Sequence, residues 1–108
     1  MTDLKQKKCI PCEGGVRPFG SDEIESHLKM ISSGWQVIEN KKLRTEIPVK
    51  DFNESMKIAG KIAVIAEEEQ HHPDLGIHYS SIEIEFTTHA IGGLSENDFI
   101  MAAKIDEI

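Results

Sequence analysis

Three of the chain's five histidines, His71, His72 and His78, fall within eight positions, and His89 follows beyond the next apolar stretch. An imidazole titrates at about pH 6.5, so it can both give and take a proton in neutral solution. A single histidine is more often structural or exposed. The pair His71-His72 is different, because Pro73 halts it at a predicted helix end and holds it in a fixed loop. Acid–base chemistry is the reading these residues favour. Metal binding is weaker: adjacent histidines point in different directions, and the H-x-x-x-H spacing of a helical site is absent. Just before the pair stand Glu67, Glu68 and Glu69, three mutually repelling carboxylates at the negative end of a helix dipole. Such a run is commonly a solvated turn. The alternative is that one glutamate has a partner, and Glu67, which borders an apolar stripe, is the better candidate.

Cys9 and Cys12 form a C-x-x-C in the first twenty residues. With no second pair, a structural zinc site is incomplete unless a partner or second subunit completes it. An unbonded, mobile pair is the default, and no metal is expected.

The elements that must position these groups follow from patterning. Residues 1–20 are rich in Gly and Pro and read as a flexible leader, with the ordered domain spanning 21–108. Ser21 is a candidate cap for a helix carrying Ile24, Leu28 and Ile31, stopped by Gly34. Two strands follow, Trp35 to Ile38 and Leu43 to Ile47, around a turn at Glu39-Asn40-Lys41. Asp51 and Glu54 have capping-box spacing and open a long helix from Phe52 to about Glu69. Its apolar positions make two adjacent stripes, Phe52-Met56-Ala59-Ala63-Ala66 and Ile58-Ile62-Ile65, which is wider than one packing surface requires. That breadth points to an oligomer. Leu75 to Tyr79 and the alternating Ser81 to Thr87 read as two more strands. Ser95 and Asp98 then cap a final helix, with Leu94 and Phe99 as a hydrophobic staple. The predicted fold is a single α+β domain, an antiparallel sheet of about four strands with helices on one face.

Composition sets the outer bounds. The 108 residues suit one small domain, and 39% hydrophobic with 29% charged residues is a globular balance. A net charge of −7 argues against a nucleic-acid binder, whose affinity needs a basic surface. No apolar run approaches the ~20 residues of a membrane span, and the start lacks the apolar stretch of a secretory signal. A cytoplasmic protein is expected, with neither nucleic acid nor membrane as partner.

The spacing Glu67-x3-His71-His72-Pro73, with Tyr79, His89 and Asp98 following at fixed intervals, resembles the signature of the pterin-4a-carbinolamine dehydratases. The resemblance continues through Ser33-Gly34-Trp35, Lys50-Asp51-Phe52-Asn53 and Gly93-Leu94-Ser95, and so covers the chain from about residue 21 to its end. The C-x-P-C-x-G-G leader is similar to that of bacterial and plastid members. The resemblance implies a cofactor-independent enzyme that dehydrates 4a-hydroxytetrahydropterin, left by an aromatic amino-acid hydroxylase, to quinonoid dihydropterin. It places His71, His72 and His89 in the pterin pocket. His71 and His89 would exchange protons at the 4a-hydroxyl, and His72 would hold the ring and act at N5. Glu67 would orient or charge the histidine pair, and Trp35 and Pro73 would shape the pocket wall. Asp98 is placed near the site, and its capping position explains it equally well; the two roles are compatible. Tyr79 is core or contact in equal measure. Leu75 departs from the family pattern, where many relatives carry an aromatic residue, and this bears on affinity more than on reaction type. His27 and His78 have no place in the pattern and read as surface or packing residues.

The resemblance further implies a homotetramer, or a dimer, formed through helix 52–69 and a sheet edge. Two other functions remain alongside catalysis. One is a protein-partner role, as in animal relatives that serve as dimerisation cofactors of a hepatocyte nuclear transcription factor. The other is a pterin-fold protein acting in molybdopterin metabolism.

Overall fold

A computed structural model describes residues 4–10 and 17–108. Cys12 and the rest of the leader's glycine-rich stretch lie outside the described residues, so the C-x-x-C reading reaches only Cys9 there. The helices are α1 (Ser21–Leu28), α2 (Phe52–Glu69) and α3 (Glu96–Ile105); the strands are β1 (Gln36–Ile38), β2 (Lys42–Pro48), β3 (Asp74–Ile77) and β4 (Ser81–Phe86). The strands form one antiparallel sheet in the order β1-β2-β4-β3. This is the expected α+β architecture.

Alternation decides which face is covered. Leu43, Thr45, Ile82, Ile84 and Phe86 are buried and meet in register as Leu43↔Phe86, Thr45↔Ile84 and Ile47↔Ile82. The intervening residues are charged and carry the outer face. Glu46 sits directly opposite Glu83 there, an unfavourable like-charge pair. Arg44 offsets it, lying 3.1 Å from Glu83 and 3.6 Å from Glu46. The β1–β2 turn has positive φ at both Glu39 (53°) and Asn40 (58°), the geometry that matches strand twist in a tight hairpin.

The long helix begins and ends where its capping chemistry dictates. Asp51 accepts from the Glu54 N–H at 2.8 Å, while Glu54 reaches the N–H of Lys50 rather than that of Asp51, so the box is displaced by one residue. At the other end Gln70 adopts the left-handed conformation (φ 53°, ψ 40°), and its side chain donates to the Glu67 carbonyl at 2.7 Å. That turn reverses the chain into His71-His72-Pro73. Of the two predicted stripes, Ile62 and Ala66 are buried and Ile58, Ala59 and Ile65 half-buried, whereas Ala63 is exposed and Phe52 and Met56 remain about half exposed, as does Val64 outside them.

Three local expectations need correction. Gly20, not Ser21, occupies the cap of α1, its N–H donating to Glu23 at 3.0 Å. The helix also ends at Leu28, well before Gly34. The cause lies in α3's far end: the Asp106 carboxylate accepts from Ser32 N, Ser32 Oγ and Trp35 Nε1, each at 2.9 Å, and draws the chain into a loop. Finally, residues 4–10 do not stand apart as a leader. Leu4–Gln6 form a 3-10 turn with Leu4 buried in the core, and Lys5 and Lys7 pair with Glu107 and Glu96 of the α3 region.

Candidate active site

Three segments converge at one end of the sheet: the loop after α2, the 3-10 turn His89–Ile91 after β4, and the start of α3. Each is fixed by local chemistry. Ser95 and Asp98 form the capping box of α3, with the Ser95 N–H donating to Asp98 Oδ2 at 2.9 Å. Leu94 and Phe99, the predicted staple, are fully buried. Thr88 pairs its backbone with Gly93 and so ties the His89 turn to the entry of α3. Between these segments lies a cleft of about 600 Å³, into which His71, His72 and His89 all face.

The three imidazoles sit in different surroundings. His71 is held most firmly. Its Nε2 lies 2.6 Å from Asp98 Oδ1, its side chain is 11% exposed, and its ring stacks nearly parallel on Phe86. Asp98 itself is completely buried, and its other oxygen also accepts from Thr88 Oγ1 at 2.8 Å. With Asp98 as the carboxylate, an acceptor at both oxygens, the short contact to His71 is N–H donation from Nε2. That places the His71 proton on Nε2 and leaves Nδ1 for exchange. Asp98 thus contributes one oxygen to the α3 capping box and contacts His71 with the other.

His72 pairs with Glu67 at 2.8 Å, but both side chains are more than half exposed. A pair in water sets orientation with little stability. Glu67 touches only the second histidine, not His71, and does not itself line the cleft. The acidic run has a second partner that the sequence did not disclose. Glu69, only 5% exposed, accepts from the Cys9 N–H at 2.8 Å and lies 3.7 Å from Lys8. Glu68 lines the cleft. His89 opens the 3-10 turn and is exposed.

Two residues expected in the pocket wall stand elsewhere. Trp35 is 5% exposed in the core, tied to Asp106 and packed against Phe86 with ring centroids 6.1 Å apart. It touches the same Phe86 ring on which His71 stacks, and its indole N–H finds its acceptor at the end of α3. Pro73 follows the histidine pair without lining the cleft. Tyr79, 72% exposed, is neither core nor cleft, and Leu75 is 38% exposed on the edge strand. His27 packs between Phe19 and Phe99, and His78 lies near Glu83 on the surface.

Thr88 and Asn97 also line the cleft; the sequence did not mark them, although each adjoins a residue that it did. Among the described residues no group of three or more His, Cys, Asp or Glu is arranged to hold a metal ion, and no helix is long and apolar enough to cross a membrane.

Comparison with known proteins agrees with this geometry. Residues 17–108 match the family model for pterin 4 alpha carbinolamine dehydratase. A protein of Nitrosomonas eutropha, provisionally named a pterin-4-alpha-carbinolamine dehydratase, is 47% identical over 104 residues, covering 96% of this chain and 91% of its own. One of Rickettsia canadensis with the same provisional name is 48% identical over 106 residues, covering 98% and 97%. The crystal structure of a Brucella melitensis protein described as a transcriptional coactivator/pterin dehydratase superposes with a TM-score of 0.78 at 25% identity, covering 84% of this chain and 97% of that one. The match of nearly the whole chain makes it a member of the pterin-4-alpha-carbinolamine dehydratase family, a family of hydro-lyases.

Proposed function

We propose that the cleft dehydrates 4a-hydroxytetrahydropterin to quinonoid dihydropterin by histidine acid–base catalysis, within tetrahydropterin recycling. The reaction breaks the C4a–O bond and the N5–H bond. The N–H electron pair becomes the second bond between N5 and C4a, and the hydroxyl leaves as water. One proton is taken and one is given, so the balance closes without an external acid or base. A site for this chemistry needs imidazoles on more than one side of a small heterocycle, which the shared cleft of His71, His72 and His89 supplies.

In this reading His71 and His89 exchange protons at the 4a-hydroxyl, and His72, oriented by Glu67, serves N5. The observation that carries the proposal is the buried Asp98 carboxylate 2.6 Å from His71 Nε2. It fixes the tautomer and stabilises the imidazolium that forms when Nδ1 accepts a proton.

The test is the ultraviolet-followed decay of freshly generated 4a-hydroxytetrahydropterin. Wild type should accelerate it well above the spontaneous rate, and His72→Ala, folded as judged by circular dichroism, should lose about 10²-fold or more of that acceleration. No acceleration by wild type would end the dehydratase reading for this chain. Self-association belongs to the same proposal: Phe52, Met56 and Val64 leave an apolar face on α2 suited to a homotetramer or dimer. Light scattering should find two or four times the mass of one chain, reduced to one chain by Val64→Asp.

A further inference from the structure

We infer that the segment Cys9–Ile10 forms the wall of the cleft opposite the histidines, that Ile10 packs on the bound heterocycle, and that Asn97 is the positioning residue that holds this wall. The inference takes its ligand from the dehydratase reading. Its grounds are separate and lie in how the segment is fastened.

Asn97 reads the backbone of Ile10 in both directions. Its Oδ1 accepts from the Ile10 N–H at 3.0 Å and its Nδ2 donates to the Ile10 carbonyl at 2.6 Å, as a neighbouring strand would. One residue earlier, the Cys9 N–H donates to Glu69 at 2.8 Å, and the Cys9 thiol lies 3.7 Å from the Asn97 carbonyl. Both side chains that grip the segment are themselves withdrawn from water: Asn97 is 3% exposed and the Glu69 carboxylate 5%. Burying an amide and a carboxylate is costly unless their hydrogen bonds are satisfied, so each backbone contact contributes to holding the segment. Upstream, Leu4 anchors the same stretch in the core, and Lys104 donates to the Lys5 carbonyl at 2.8 Å.

Held this tightly, Ile10 nonetheless keeps 70% of its surface open, and it lines the cleft. An exposed aliphatic side chain on a mobile tail would be unremarked. Here it shares the cleft with polar groups, Glu68, Gln70, Thr88 and the three histidines, that give a flat ring hydrogen bonds but little apolar contact. Small-ligand clefts combine a few convergent polar groups with an apolar surface for the ring. Ile10, beside Ala90, supplies that surface, and the side chain best placed to respond to the ring's substituents is the one on this wall.

Two substitutions test the wall, with His71, His72 and His89 left intact. Ile10→Ala removes an exposed side chain and leaves the fold alone. Asn97→Asp keeps the shape, retains an acceptor for the Ile10 N–H and turns repulsive toward its carbonyl. Binding of 7,8-dihydropterin, a stable reduced pterin that cannot be dehydrated, is titrated by fluorescence beside the dehydration kinetics. Ile10→Ala should weaken binding and raise KM by about three- to tenfold, with kcat within about twofold of wild type. Asn97→Asp should do the same if it melts within a few degrees of wild type; if it does not fold, Ile10→Ala decides alone. Unchanged dihydropterin binding and KM in Ile10→Ala would overturn the inference while leaving the dehydratase reading intact. Ile10-dependent binding without dehydration by wild type would sustain the wall and overturn the reaction. A wild type that neither binds nor dehydrates would overturn both.

Discussion

The two histidine–carboxylate pairs of the cleft use the same two functional groups at nearly the same distance and differ in everything around them. His71 and Asp98 meet at 2.6 Å with the acid fully buried and its second oxygen held by Thr88 and Ser95. His72 and Glu67 meet at 2.8 Å with both partners mostly in water. In the first pair the carboxylate cannot rotate away without giving up its bonds from the Thr88 hydroxyl and the Ser95 N–H, so the imidazole it contacts is held in place. In the second, solvent can replace either partner at small cost. Distance alone would rank them alike; burial separates an orienting contact from an adjustable one.

The sharpest break comes from removing the buried acid. Asp98→Ala leaves the Thr88 hydroxyl only its Ser95 Oγ partner, takes the acceptor from the Ser95 N–H and removes half of the α3 capping box, so stability should fall by about 2–4 kcal/mol in urea unfolding. Glu67→Gln is the matching change in the open pair. Its amide oxygen still accepts from His72, so stability should shift by less than about 0.5 kcal/mol and the dehydration rate by less than about tenfold. Comparable losses from the two substitutions would remove the distinction between the pairs.

A smaller effect sharpens the comparison with a third carboxylate, remote from the cleft. The Gly20 N–H, followed by Arg17, holds Glu23 below its ordinary 4.5. A depressed acid stabilises the fold above its unfolded value, and that contribution disappears as pH falls through the folded one. The difference in melting temperature between wild type and Glu23→Gln should therefore be present at pH 7 and vanish toward pH 3. A difference that persists unchanged at pH 3 would show that the charge of Glu23 does not matter.

Much of this was legible in the sequence because the relevant signals are local. The 52–69 helix begins at a cap and ends before a proline; β4 alternates, and Ser95, Asp98, Leu94 and Phe99 compose one terminus. The histidine positions came from the family-like spacing. What was not legible depends on contacts between distant residues. Nothing near Trp35 reveals that its N–H is claimed by Asp106, 71 positions away, which takes it out of the pocket. Nothing near Glu69 reveals the Cys9 N–H, and the glycine-rich composition of the first twenty residues concealed that Leu4 is a core residue. The acidic turn illustrates both cases. Its partner requirement follows from charge repulsion at a helix end, but the identity of one partner follows only from tertiary packing.

The measurement that bears most directly on the account is the dehydration rate of Asp98→Asn. The Ser95 N–H can only donate, so it retains the amide oxygen and turns the amide nitrogen toward His71. Nε2 must then accept, and the proton moves to Nδ1, the position that has to be open for exchange. The account predicts a folded protein whose kcat falls about 10²- to 10⁴-fold. A folded Asp98→Asn that dehydrates within about twofold of the wild-type rate would contradict it.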